Sequence, residues 1–243
     1  MFLISSEKYE IRSTSDKGRG VFITEVLPPG IIIGDYIGTV MTSADADRLE
    51  GVYGMWRNEH ETIWADKDAP GIHLVNHSCV PNCGFFPYNG HVLMTSLRKV
   101  FPGEELTASY MVDPLVDNEQ DDYLPCFCGS KLCRGTMRTT ADLSEKFTNF
   151  MQTEQDKNPQ KLCTRFGETL PLLPDYPASI EDHDIFDLYG KEDGTPAQFD
   201  DSSMPDAGVL RQRIRQTGVT LAFPQMHLEV LGVAQGILVA RTF

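Results

Sequence analysis

Asn76-His77-Ser78-Cys79-Val80-Pro81-Asn82 is the stretch on which the fold of this 243-residue chain turns. It crowds hydrogen-bonding side chains and a thiol so densely that a plain connecting loop accounts for it poorly. Three other short segments stand in fixed order around it. Upstream are Lys17-Gly18-Arg19-Gly20, whose glycines let a backbone approach a ligand closely, and Tyr36-Ile37-Gly38. Downstream is Gly103-Glu104-Glu105-Leu106-Thr107-Ala108-Ser109-Tyr110, a polar turn that ends in a tyrosine. Each of these alone reads equally well as an ordinary turn or strand; the ordered set does not.

The surrounding pattern is β-rich. Tyr9-Glu10-Ile11-Arg12 alternates, Gly20 leads into Val21-Phe22-Ile23, Pro28-Pro29-Gly30 turns into Ile31-Ile32-Ile33, and His91 to Thr95 is a further strand. Asn89-Gly90 predicts a hairpin turn before His91, and Thr42 to Glu50 predicts a short helix. Near residue 139 the texture changes. Leu143, Phe147, Phe150 and Met151 recur at helical spacing, with Thr139 or Thr140 as the cap. The sequence therefore divides into 1–115, 116–138 and an extension over 139–243, which contains the acidic run Asp175 to Asp206, a helix pattern over Pro205 to Gln216, and an apolar ending.

Three thiols fall within eight residues, at Cys126, Cys128 and Cys133; Cys79 and Cys83 lie far upstream and Cys163 downstream. Cysteines one residue apart point to opposite sides and pair badly as a disulfide, so a closed zinc site is favoured. Such a site needs four soft ligands, and a fourth must come from elsewhere in the chain.

The four ordered segments followed by Cys-x-Cys-x4-Cys resemble the SET-domain protein lysine methyltransferases, with their cysteine-rich post-SET segment, over roughly residues 8 to 138. The resemblance implies a β-rich α+β fold in which the Asn-His-Ser-Cys and Glu-Leu-Thr segments thread past one another as a pseudoknot. It implies S-adenosylmethionine as methyl donor and a structural zinc held by Cys79, Cys126, Cys128 and Cys133. Tyr110 matches the catalytic tyrosine and Tyr36 the tyrosine lining the lysine channel. Lys17, Gly18, Arg19 and Gly20 match the turn that holds the methionine part of the donor, and Asn76 with His77 its adenosyl part; Tyr53 or Trp56 is expected to add an aromatic contact. His73 stands where many members have Arg, a change expected to tune the site. Cys83 is expected to be ordinary packing and Cys163 a buried thiol. Ala108, where the family commonly has Phe or Tyr, implies a roomier channel and progression to di- or trimethyl-lysine. The competing interpretation is a catalytically weak SET-like module that binds a basic peptide.

Composition narrows the partners. With 21 Lys+Arg against 35 Asp+Glu the net charge is −14, which disfavours binding to a nucleic-acid backbone. It suits a basic polypeptide such as a histone tail, a histone-like or ribosomal protein, or a translation factor. The longest apolar stretch, Leu228 to Ala240, is too short for a membrane span, and Met1 to Glu7 has no basic start of a secretory signal. An intracellular protein is expected, nuclear in a eukaryote and cytoplasmic otherwise. Arg211, Arg213 and Arg215 read as solvated or paired charges. Val219 to Phe243 reads as a segment that docks on the catalytic part or on a second copy in a homodimer.

Overall fold

The computed structural model describes residues 1–58, 60–115, 124–130, 133–157 and 165–179. The readings on Cys163, the three arginines and the apolar ending lie outside them. Among the described residues ten strands form three sheets. The first pairs β1 (Tyr9–Ser13) with β2 (Arg19–Ile23). The turn between them is closed by Thr14, which donates from both its main-chain N and its Oγ1 to the carbonyl of Gly18, itself at φ +72°. The largest sheet has the order β3 (Ile32–Asp35), β9 (His91–Ser96), β8 (Cys83–Tyr88), β10 (Thr107–Ala108), β7 (Asn76–His77). The third runs β4 (Thr39–Thr42), β6 (Glu61–Trp64), β5 (Gly54–Asn58).

Asn89 and Gly90 both take positive φ, 48° and 81°, and close the β8–β9 hairpin as a type I′ turn. The helix expected over 42–50 is shorter than its sequence pattern: α1 covers only Ser43–Ala46, with Thr42 Oγ1 accepting from the Asp45 amide as its cap. Beyond Ala46 the bonds tighten to three-residue spacing, Arg48 to Asp45 and Leu49 to Ala46, before Gly51 turns the chain away at φ +102°.

β8 and β9 are buried on both faces, Phe85, Phe86, Leu93 and Met94 among them. One face packs into the domain core; the other is covered by α2 (Ala141–Lys157), whose Phe150 ring lies 6.1 Å from that of Phe86 and whose Phe147 and Met151 belong to the same hydrophobic cluster. Full burial of one such side chain stabilises by roughly 1.5–3 kcal/mol. Thr140 caps α2 by accepting from the Leu143 amide. The change of texture near 139 thus coincides with the start of a helix, and the packing continues across it.

Residues 165–179 are also built in. Val40 and Gly38 of the β4 region exchange main-chain bonds with Gly167, Glu168 and Leu170, which seals that edge of the third sheet. Farther on, Tyr176 donates its hydroxyl to the buried Asp35 carboxylate at 2.8 Å, where the His91 Nδ1 also stands at 2.7 Å. Among the described residues no helix is long and apolar enough to cross a membrane.

Candidate active site and metal centre

Strand order brings the four sequence segments together. β10 lies between β7 and β8 and runs parallel to both, so residues 78–82 loop around the 105–110 segment, and Ser78 N donates to Ala108 O while Asn82 N donates to Thr107 O. On its upstream side the same segment runs along β2, with Leu106 N bonded to Val21 O and Ile23 N to Glu104 O. This is the threaded pseudoknot that the sequence implied. Asn82 fastens it from within: its amide donates to Glu105 O at 2.8 Å and its Oδ1 accepts from Thr107 N at 2.8 Å.

The donor-matching residues converge on Glu105, which sequence reasoning left without a role. Its carboxylate pairs with Lys17 Nζ and accepts from Asn76 Nδ2 at 2.8 Å, while Asn76 Nδ2 also reaches Arg19 O at 3.0 Å. Both donors of the Asn76 side-chain amide are thereby committed to protein. At Gly20 a Cβ would sit 2.5 Å from Glu105 Oε1 and 3.0 Å from Asn76 Nδ2, so a side chain there would displace this carboxylate from its partners. At Gly18 nothing lies within 4 Å of the Cβ position, so that stretch of backbone is open to approach. Arg19 is tied to the carbonyl of Lys67.

A cavity of about 590 Å³ is lined by both Tyr36 and Tyr110, with Ile72, His73, Val75 and Phe85 behind them. Tyr36 donates its hydroxyl to Tyr53 O at 2.8 Å and Tyr110 donates to Val75 O at 3.3 Å. Burial, above all, pushes Tyr110 up to about 12 and raises Tyr36 as well, so both are phenols at neutral pH. Trp56 takes a place in the cavity wall, and the Tyr53 ring sits edge-on to His73 at 6.3 Å, near enough for its phenol to act on both Tyr36 and Tyr110. His73 is drawn down to about 4, first by burial, so this chain presents a neutral ring there. Ala108 is fully buried in β10 and takes no part in the cavity lining.

Cys79, Cys126, Cys128 and Cys133 place their four sulfurs within 4.8 Å of one another. Zinc–sulfur bonds of about 2.3 Å give a tetrahedron with an edge of about 3.8 Å, and Cys79 Sγ stands 3.7 Å from Cys126 Sγ. The amides of Arg134 and Gly135 point at the sulfurs of Cys79 and Cys133, each at 3.4 Å, as donors that would stabilise metal-bound thiolates. The donor set and spacing fit a closed structural metal site. Cys83 stands apart, fully buried and directed at Asn82 Oδ1.

A threaded β fold with paired tyrosines and a four-thiol cluster defines the class of this molecule. Residues 18–111 match the SET domain family, and the chain carries a SET domain there. It is 30% identical to histone-lysine N-methyltransferase 2B of Homo sapiens over 142 residues, which are 54% of this chain and 5% of that protein. With the H3 lysine-36 specific histone-lysine N-methyltransferase of Mycosarcoma maydis the identity is 33% over 150 residues, 56% of this chain and 15% of the relative. Set2 of Drosophila melanogaster, another histone-lysine N-methyltransferase, is 30% identical over 145 residues, 54% of this chain and 6% of the relative. The chain spans a small part of the length of the relatives it matches.

Proposed function

We propose that this chain is an S-adenosylmethionine-dependent protein-lysine N-methyltransferase acting on a basic polypeptide, a histone tail or a histone-like or ribosomal protein. The observation that carries the reading is the placing of Tyr36 and Tyr110 on one cavity, with the segment that ends in Tyr110 threaded through the loop that follows Asn76 and His77. The names of the relatives point the same way.

Bound at Lys17 to Gly20, Asn76 and His77, the donor supplies an electrophilic methyl on a sulfonium. The chain's own task is alignment and exclusion of water. Each tyrosine hydroxyl spends its single proton on a backbone carbonyl, Tyr53 O or Val75 O, and toward an incoming amine can only accept. Two fixed acceptors hold the amine's N–H bonds and leave its lone pair facing the donor. Because both phenols stay protonated, neither removes the amine's proton; that proton leaves to solvent before transfer. The zinc held by Cys79, Cys126, Cys128 and Cys133 would pin the post-SET segment beside this cavity, with no open position for chemistry.

Progression to di- or trimethyl-lysine rests on the resemblance alone, in which Ala108 stands where a ring is common, because Ala108 itself is buried in β10 and does not line this cavity. Mass spectrometry that finds only monomethyl product at long times rules that out. The activity itself is tested with labelled donor on a mixture of basic proteins and on whole-cell extract, wild type against Tyr110→Phe. Label in wild type and a loss of at least tenfold in the variant support the reading. Equal labelling of both removes Tyr110 from the chemistry, and no labelling by wild type favours a peptide-binding module instead. The labelled band also tells a histone from another basic protein.

A further inference from the structure

The cavity that holds Tyr36 and Tyr110 has a wall from outside the SET match. Ala46, Asp47, Leu49, Gly51 and Val52, from α1 and the loop after it, line it together with Met111. Beyond the matched residues come Val112 and Asp113, then Ser144, Phe147 and Thr148 of α2. Positions 144 and 148 are one helical turn apart and share a face with 147. That face is fixed. Phe147 and Met151 are anchored in the core, Gln155 donates to the main-chain carbonyl of Arg57, and Ser144 Oγ donates to Asp113 Oδ1 at 2.7 Å. Thr139 N donates to Val112 O at 2.8 Å, which ties the loop carrying Met111 to the start of α2.

Two properties of the walls bear on what enters. Leu49 and Val52 are large apolar side chains left 45% and 43% exposed, both on this cavity. Asp47 and Asp113 both line this cavity and stand exposed, and suit an occupant of positive charge. At the same cavity lie Gly54, Met55 and Trp56 of β5, the end strand of its sheet among the described residues, where an extended segment can add main-chain bonds.

We infer that α2 is a specificity-determining wall of the acceptor groove, selecting an extended basic peptide whose residue beside the target lysine is apolar and seats against Leu49, Val52 and Phe147, with Ser144 and Thr148 leaving the room for it. This rests on the methyltransferase reading and adds to it a rule for the acceptor sequence.

The test uses the full chain and basic lysine peptides that differ only in the residue beside the lysine: Ala, Leu or Glu. Wild type is expected to prefer Leu to Glu by about tenfold or more in kcat/KM, the scale on which an apolar pocket discriminates. Thr148→Trp fills the groove and is expected to lower the Leu-to-Ala ratio about tenfold, through KM. Val52→Ser, at an exposed position, is expected to lower it through the part of the wall that follows α1 and guards against misfolding of the first variant. Asn149→Trp, on α2 but away from the cavity, is expected to leave the ratio unchanged. Active wild type indifferent to the neighbouring residue, or a ratio untouched by both Thr148→Trp and Val52→Ser, overturns the specificity role and spares the methyltransferase reading. Absence of transfer to every peptide and protein overturns both.

Discussion

His77 Nδ1 accepts the main-chain N–H of Tyr110 at 3.2 Å. An amide can only donate, so Nδ1 is unprotonated and the ring proton sits on Nε2, which stands 3.6 Å from Cys79 Sγ. Burial, helped by Arg134, draws His77 down to about 4 and keeps the ring neutral. One imidazole therefore joins the candidate catalytic tyrosine to a candidate metal ligand.

The two ends of that ring can be separated by substitution. His77→Asn keeps an acceptor near the Nδ1 position and loses the contact to Cys79, so zinc affinity is expected to fall roughly 10- to 100-fold, the usual effect of an outer partner of a metal ligand. His77→Gln reaches the Nε2 position but abandons the Tyr110 amide, and is expected to lose at least tenfold in kcat with zinc retained. Chelator competition and single-turnover rates read the two effects. Identical behaviour of the two variants would sink the bridge.

Exhaustive chelation is expected to release one zinc per chain and abolish methyl transfer without changing Tyr36 or Tyr110. Cys79→Ser should do the same. Cys83→Ser should keep the metal and lose only about 1–2 kcal/mol of stability, because its sulfur is buried against Asn82 and apart from the cluster. Elemental analysis beside an activity assay checks this; full activity in metal-free protein would dismiss the site.

Single-turnover rates are expected to rise about tenfold per pH unit between roughly pH 7 and 9, as an acceptor amine with an ordinary pKa of about 10.4 loses its proton. Tyr110, held up at about 12 chiefly by burial, remains a phenol throughout. A raised tyrosine pKa favours the folded state below the ordinary value of about 10, and that contribution fades as pH climbs from there toward 12. The rate should therefore show no break from tyrosine ionisation near pH 10. A plateau or decline of the rate already at pH 8 would contradict the assignment.

Tyr176→Phe removes a hydroxyl that donates to Asp35 at 2.8 Å and accepts from Leu173 N at 3.2 Å. Asp35 and His91 are both fully buried, so a lost partner is not replaced by water. The cost is expected to be about 1–3 kcal/mol, read by urea unfolding, with earlier proteolysis of the 165–179 segment. An unchanged midpoint would show that Tyr176 does not hold this segment.

Much of the site was legible because its chemistry fixes local spacing. Tyr110 is recognisable four residues after Leu106, the post-SET thiols by their mutual distance, and the β8–β9 turn by Asn89-Gly90, where two positive φ angles leave little choice of residue. Glu105 was visible as a letter of the motif but not as the acid that binds Lys17 and Asn76 together, for nothing local distinguishes it from Glu104. Arg57 is a sharper case: a lone arginine in Gly54–Asn58 reads as a solvated strand position, yet it is fully buried, bonded to Gly90 O at 2.7 Å and to Glu61 at 2.8 Å.

By itself the sequence determined which residues are candidates for the chemistry and which short elements carry them, since motif spacing and periodicity express covalent geometry and local sterics. Only the tertiary structure decided that α2 walls the cavity of Tyr110, that His77 spans from Tyr110 to Cys79, and that Tyr176 closes on Asp35 across 141 residues of chain. The physical reason is that such pairings come from burying surfaces far apart in sequence. A phenylalanine at helical spacing announces an apolar face and says nothing of the strand it will cover.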